Sequence, residues 1–212
     1  MQPTIFYLIR HGESESNARF VVGGQTDAPL TERGLEQAEQ ARQALTGVKL
    51  DAVYSSDLQR AVRTAEVISG HYIPEDHRIA ALGERDFGKL EGQPMEAWFA
   101  INQAFHEQYG DLPLEERWKH AYAPTIETNE ALVSRFMGAL RTIAGQHPGQ
   151  TLLIGTHAGP VRMTLCKLGY ASEAALGPGS FENGARVVLS YDGQCFRIVD
   201  VVGVNLNAAR AE

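Results

Sequence analysis

The apolar run Ile5-Phe6-Tyr7-Leu8-Ile9 stops abruptly at Arg10-His11-Gly12-Glu13, and this break constrains the chain more than any other feature. An apolar run of this length, bounded by a polar turn, reads as a buried strand. A strand buried on both faces belongs in a sheet with helices on either side. In open α/β sheets, ligands bind where strands leave the sheet. An arginine at such an end suits an anion, and a histidine beside it suits chemistry.

The rest of the chain repeats the alternation. Pro29-Leu30-Thr31-Glu32-Arg33-Gly34 opens a helix capped by Thr31, with Leu35, Ala38, Ala41 and Leu45 at helical spacing and Gly47 at its end. Asp51-Ala52-Val53-Tyr54 reads as a short strand. Ser56-Asp57-Leu58-Gln59 has capping-box form and starts the next helix. Ile79 to Leu82 reads as a further short strand. A helix spans Thr128 to about His147, and Thr151-Leu152-Leu153-Ile154-Gly155-Thr156 is an apolar strand followed directly by His157. Asp192-Gly193 between two apolar runs predicts a hairpin, and the tail after Asn205 reads as frayed. These elements predict a three-layer α/β/α sandwich with a mainly parallel central sheet in a single domain, 1–212. Prolines and aromatics over about 93–127 read as a helical insertion covering the site.

Composition narrows the function. The chain has 212 residues, 43% apolar and 21% charged, enough to bury a core without staples. A net charge of −7 argues against nucleic acid and anionic membrane as partners. Cys166 and Cys195 alone imply no disulfide framework. The first apolar run is too short for a signal segment or a membrane span, so a cytoplasmic location is expected. His71, His77, His106, His120 and His147 lack metal-ligand spacing and read as scattered surface histidines, so no metal or cofactor is expected.

Two strands thus end in histidine, His11 and His157, and Arg60 lies at the start of the helix after the 51–54 strand. Residues in the first turn of a helix reach ligands at its N-terminus. Arg10, Arg60 and the two histidines would form a cationic pocket for a dianionic phosphoryl group. An imidazole there can attack phosphorus and carry the group covalently. The departing alcohol then needs an acid, and Glu84 in Gly83-Glu84-Arg85-Asp86-Phe87-Gly88 is the candidate. The bland alternative pairs Glu84 with Arg85 as a surface ion pair. Arg63 and Arg162 read as structural, in salt bridges or backbone contacts. Trp98, Phe99, Phe105 and Tyr109 read first as packing.

Arg10-His11-Gly12-Glu13 with Asn17 resembles the signature of the histidine phosphatase superfamily, also called phosphoglycerate-mutase-like. Asp27 to Gly34, Ser55 to Ala65, Glu84 to Gly92 and Thr156 to Arg162 resemble its later segments in the same order. The resemblance implies His11 as nucleophile, Glu84 as proton donor, and Arg10, Arg60 and His157 as phosphate ligands, with Asn17 and Gly24 at the substrate mouth. Departures from the mutase pattern favour hydrolysis of a small-molecule phosphomonoester. Gly23, Phe87 and Met95 stand where cofactor-dependent mutases of the family carry threonine, tyrosine and lysine. Ala158-Gly159 stands where they usually carry Gly-Asn. A phosphoglycerate or phosphosugar mutase, and a binding module without catalysis, are the alternative readings. The sequence is compatible with a monomer or a homodimer.

Overall fold

The structure is a computed structural model that describes residues 2–206. Its sheet has five strands in the order β2-β3-β1-β4-β5. β1 (Thr4–Arg10) lies between β3 (Thr151–Thr156), to which it is parallel, and β4 (Phe181–Tyr191), to which it is antiparallel. β2 (Ala52–Ser55) extends the parallel half, and β5 (Phe196–Val204) closes the antiparallel half through the Asp192-Gly193 hairpin. The sheet is therefore mixed, parallel on the side that carries both histidines. The register sets Arg10 opposite Thr156, so His11 and His157 leave the sheet side by side. This is the topological reason that two motifs some 146 residues apart share one site.

The layers follow from period-two alternation along buried strands. Phe6, Leu8, Leu152 and Ile154 face one side, where they pack with α6 (Asn129–Gln146) and α7 (Ala158–Lys167). Ile9 and Leu153 face the other, against α2 (Glu32–Ala44) and α3 (Gln59–Ser69). Leu132, Phe136, Leu140 and Ile143 of α6 are essentially buried at helical spacing. Each such side chain contributes roughly 1.5–3 kcal/mol of hydrophobic stabilisation.

Two predicted elements differ. The α3 cap is Leu58, without a side-chain bond, and not a capping box at Ser56. The Ser56 hydroxyl accepts from the Leu58 N–H, while Asp27 arrives from another segment to accept from the Gln59 N–H at 2.8 Å. A tertiary contact thus replaces the local one. Residues 80–82 form a 3₁₀ turn rather than a strand, since only Arg78 bridges to Ser55. After the Ile79 N–H donates to the Ser55 carbonyl, the Leu82 and Gly83 N–H groups turn back to Ile79 and Ala80.

Short α1 (Glu15–Ala18) follows the first histidine, closed by a reciprocal Ser14–Asn17 capping box. α4 (Met95–Tyr109) and α5 (Leu114–Arg117) occupy the predicted insertion. Trp98, Ile126 and Val22 make a small separate core beneath it. No helix among the described residues is long and apolar enough to cross a membrane. The tail from residue 207 onward, read as frayed, lies outside the described residues.

Candidate active site

His11 and His157 are both buried, with ring centroids 5.0 Å apart and edges meeting at 63°. The Nδ1 of His11 lies 2.7 Å from the carbonyl of its neighbour Gly12. A carbonyl only accepts, so Nδ1 carries the proton and Nε2 keeps its lone pair. Arg60 Nε donates to that Nε2 at 3.3 Å, which requires the same tautomer. Burial, then Arg60 and Arg10, hold the His11 imidazole well below its ordinary range. The ring is therefore neutral, with a nucleophilic nitrogen turned toward a cation.

Backbone packing secures this ring. A side chain at Gly12 would collide with the backbone of Gly34, and one at Gly34 with that of Glu13. The loop after β1 therefore lies directly on the start of α2. The Gly12 N–H donates to Thr64 on α3, and Thr64 donates back to the Arg60 carbonyl, coupling the histidine loop to the arginine helix.

Arg60 is buried, with two further bonds to the carbonyls of Gly24 (2.6 Å) and Thr26 (2.7 Å). Arg10 donates to the Phe181 carbonyl and its Nε has no partner among the described residues. Burial lowers the Arg10 guanidinium to about 10, against the pull of Glu84 and with the push of Arg60. It stays protonated at neutral pH. Both ring nitrogens of His157 are buried and lack partners among the described residues. Burial first, then Arg60, His11 and Arg10, depress its imidazole as well. Buried polar atoms left open in this way are costly unless something fills the space, and an oxyanion among them would accept from Arg10, Arg60 and His157.

Glu84 faces this cluster across the pocket. Its carboxylate accepts from the N–H groups of Arg85 (2.7 Å) and Gly159 (3.1 Å), so it rests on the N-terminus of α7. Any side chain at Gly159 would strike that carboxylate. Arg85 does not pair with the Glu84 side chain. It is buried, donating to the Glu127 carbonyl and to Asn129, and lies over the ring of Tyr122. Arg135 on α6 holds the backbone here, donating to the carbonyls of Ala81, Gly83 and Glu84 while gripping Glu127 with both ends of its fork.

A pocket of about 280 Å³ opens over these groups. Asn17 and Gly24 line it, although the Asn17 oxygen is committed to the Ser14 and Asn183 N–H groups. Asn183 also donates to the His11 carbonyl, a contact that no sequence signal announced. Gly23, Phe87, Met95, Ala158 and Gly159 all line the pocket. Of the insertion's aromatics, Trp98 and Phe99 reach it, whereas Phe105 packs between Tyr109 and Tyr122. Phe20 stands at the edge with φ 54°, sparsely populated for a bulky residue, and meets Phe99 edge-on at 6.0 Å. Strain of this kind persists where surrounding structure imposes it, often at ligand sites.

One other expectation is corrected. Arg63 does bridge to Glu66, but Arg162 has neither a salt bridge nor a backbone contact among the described residues and lines the pocket instead. The helix pattern could not separate these two arginines, because only the chain packed opposite decides which has a partner. The remaining histidines lie at the surface as expected, with His77, His106, His120 and His147 half-buried beside aromatic neighbours. His77 stacks on Tyr54 at 4.1 Å, His147 meets the Tyr54 hydroxyl at 2.9 Å, and His120 stacks on Tyr109. His71 is exposed.

Comparison with known proteins gives the same picture. A family model described as "Histidine phosphatase superfamily (branch 1)" matches residues 6–202. The chain is 33% identical over 177 residues to a metal-independent phosphoserine phosphatase of Arabidopsis thaliana, covering 81% of this chain and 71% of that protein. It is 32% identical over 154 residues to a probable phosphoglycerate mutase, GpmB, of Cronobacter sakazakii, covering 71% and 68%. Among solved structures, Bacillus stearothermophilus YhfR superposes with a TM-score of 0.75 at 26% identity, covering 92% of this chain and 95% of that one.

Proposed function

Since the chain belongs to the histidine phosphatase superfamily, which holds phosphatases and mutases, we propose that it hydrolyses phosphomonoesters through a covalent intermediate on His11 Nε2, without a metal ion. The observation that carries this reading is the His11 tautomer. Its Nδ1–H is tied to Gly12 and its Nε2 lone pair meets Arg60, with a second imidazole beside the ring.

The steps balance on residues of this chain. Nε2 forms a bond to phosphorus as the ester P–O bond breaks, and the protonated Glu84 carboxyl gives its proton to the departing alkoxide. Arg10, Arg60 and His157 surround the equatorial oxygens, where charge is spread in the transition state. Arg60 exchanges its bond to Nε2 for one to the phosphoryl group as the substrate enters. Glu84, now a carboxylate, takes a proton from water. The hydroxide attacks phosphorus, the N–P bond breaks, and inorganic phosphate leaves.

Hydrolysis is favoured over mutase chemistry by the wall. A mutase must hold its intermediate through reorientation and keep water away. Gly23, Phe87, Met95 and Ala158 offer no side-chain hydrogen bond for that purpose, yet all line the pocket. The test is p-nitrophenyl phosphate turnover with EDTA present, together with acid-labile phosphate trapped on the enzyme. His11→Ala should lower kcat by about 10⁴-fold or more and abolish the trapped label. Full turnover by that variant, or a dependence on added divalent metal, would defeat the reading.

A further inference from the structure

The fork of Arg60 is set by the loop that carries Gly24 and Thr26. Its Nη1 and Nη2 donate to the carbonyls of Thr26 (2.7 Å) and Gly24 (2.6 Å), and with the fork fixed in this way its Nε meets His11 Nε2 at 3.3 Å. The loop is tied at both ends. The Val22 N–H donates to the Gln93 carbonyl at 2.9 Å, and Asp27 accepts from the Gln59 N–H at 2.8 Å. Between these ties Gln25 and Thr26 are exposed, so burial does not hold them.

One carboxylate fills that gap. Glu91 follows the 3₁₀ turn Gly88–Leu90 and is half-buried. Its Oε1 accepts from the Gln25 N–H at 2.9 Å and from the Phe87 N–H at 3.2 Å, and its Oε2 accepts from the Thr26 hydroxyl at 3.2 Å. A side chain at Gly24, where φ is 50°, would strike the same carboxylate, so the loop backbone lies directly against it. Hydrogen bonds to an ionised acceptor are about twice as strong as neutral ones. The loop in turn reaches the acid segment, since the Gln25 side chain donates to the Glu84 carbonyl at 2.6 Å. Glu91, Gln25 and Thr26 stand outside the pocket lining.

We infer that Glu91 is a positioning residue for phosphoryl binding: it holds Gly24 and Thr26 where their carbonyls fix the Arg60 fork beside His11. The inference rests on the proposed function for the group that Arg60 meets. The gain is preorganisation. A guanidinium loose on its long stem gives up rotamer freedom when an oxyanion arrives, whereas one already held has less to lose. Positioning also differs from a mere charge effect. A nearby negative charge would act through space, but holding the loop takes acceptor oxygens. Glu91→Gln separates the two, because it keeps an acceptor for the Gln25 and Phe87 N–H groups and loses the charge.

The experiment titrates vanadate, a mimic of the phosphoryl group, into the protein by calorimetry, which does not depend on turnover. Glu91→Ala should weaken vanadate binding about tenfold in the unaltered background and by less than about twofold in an Arg60→Ala background, because its effect passes through the arginine. Glu91→Gln should stay within about threefold of the unaltered protein. Thr26→Val removes one tie and leaves both loop carbonyls. It should cost about two- to threefold with the same dependence on Arg60, and it carries the cycle if Glu91→Ala does not fold. Undiminished affinity in these variants, equal losses with and without Arg60, or a Gln variant as weak as the Ala variant would overturn the inference. Turnover of p-nitrophenyl phosphate by the unaltered protein is read separately. Its absence beside an intact cycle would sink the hydrolase reading and leave the anchoring of Arg60 standing.

Discussion

The floor and the wall of the pocket are built in opposite ways. The floor is charged and dense: Arg10, His11, Arg60 and His157 converge from two parallel strand ends and one helix start. Each of its groups sits within two residues of a strand or helix boundary, on elements pinned by the sheet. The wall is apolar and scattered: Phe20, Val22, Phe87, Met95, Trp98 and Phe99 come from loops and from α4. On the proposed function, the floor can be preorganised because its ligand, a phosphoryl group, is the same in every substrate. The wall meets the leaving group, which differs, and is made of dispersive contacts that a few substitutions retune. The comparison teaches that chemistry and selectivity occupy separate pieces of this fold and should fail separately under mutation.

The largest expected effect within that division, after loss of His11 itself, is at Glu84. Glu84→Gln keeps the size and removes the transferable proton. Turnover of alkyl phosphates should fall about 10²- to 10³-fold, whereas p-nitrophenyl phosphate, whose leaving group needs little help, should lose far less. Equal losses on both would show that Glu84 is not the acid.

Arg135→Ala comes next. Arg135 holds the carbonyls of Ala81, Gly83 and Glu84, so its loss should loosen the acid without touching the nucleophile. A drop of roughly tenfold in kcat, with the same leaving-group dependence as Glu84→Gln, is expected from misplacement of this kind. A uniform loss across leaving groups would make Arg135 a purely structural residue.

The floor also predicts a pH effect on stability. Both imidazoles are neutral in the folded protein, depressed below the ordinary value of 6.5 chiefly by burial. The unfolded chain binds protons there that the folded chain refuses. Unfolding therefore takes up protons, and stability falls as pH drops through about 6.5, at up to roughly 1.4 kcal/mol per pH unit for each histidine. Melting temperature followed from neutral to mildly acid pH should show this slope, and His157→Asn should flatten it. Vanadate should oppose it by giving the imidazolium a partner.

The smallest effect belongs to the wall. Phe99→Ala, at a half-exposed edge, should raise KM for aryl phosphates about two- to fivefold by lost contact area and leave kcat nearly intact. A fall in kcat instead would mean that the wall takes part in the chemistry, and the division would break.

Much of this was open to reading in one dimension. The buried run before Arg10-His11 and its counterpart before His157 pointed to strand ends, and strand ends in a parallel sheet lie on one edge. Thr31 and Thr128 cap their helices as local pattern suggests. Local pattern failed wherever a distant group supplied the partner. At the start of α3 the Gln59 N–H is met by the distant Asp27 rather than by a local side chain, and residues 80–82 bond among themselves as a 3₁₀ turn. Arg85 and Arg162 are equally charged in the sequence. One is buried and bonded while the other lines the pocket without a partner among the described residues, and nothing within a few residues of either distinguishes them.

The sequence by itself determined the alternation of strands and helices, the two histidines at strand ends and the choice of phosphoryl chemistry, because periodicity and turn-forming residues act over short range. Tertiary structure alone decided the His11 tautomer, the seat of Glu84 on the α7 N-terminus and the place of Arg162 in the pocket lining. Hydrogen bonds and burial are set by whichever chain lies opposite, and that neighbour is chosen only when the sheet closes.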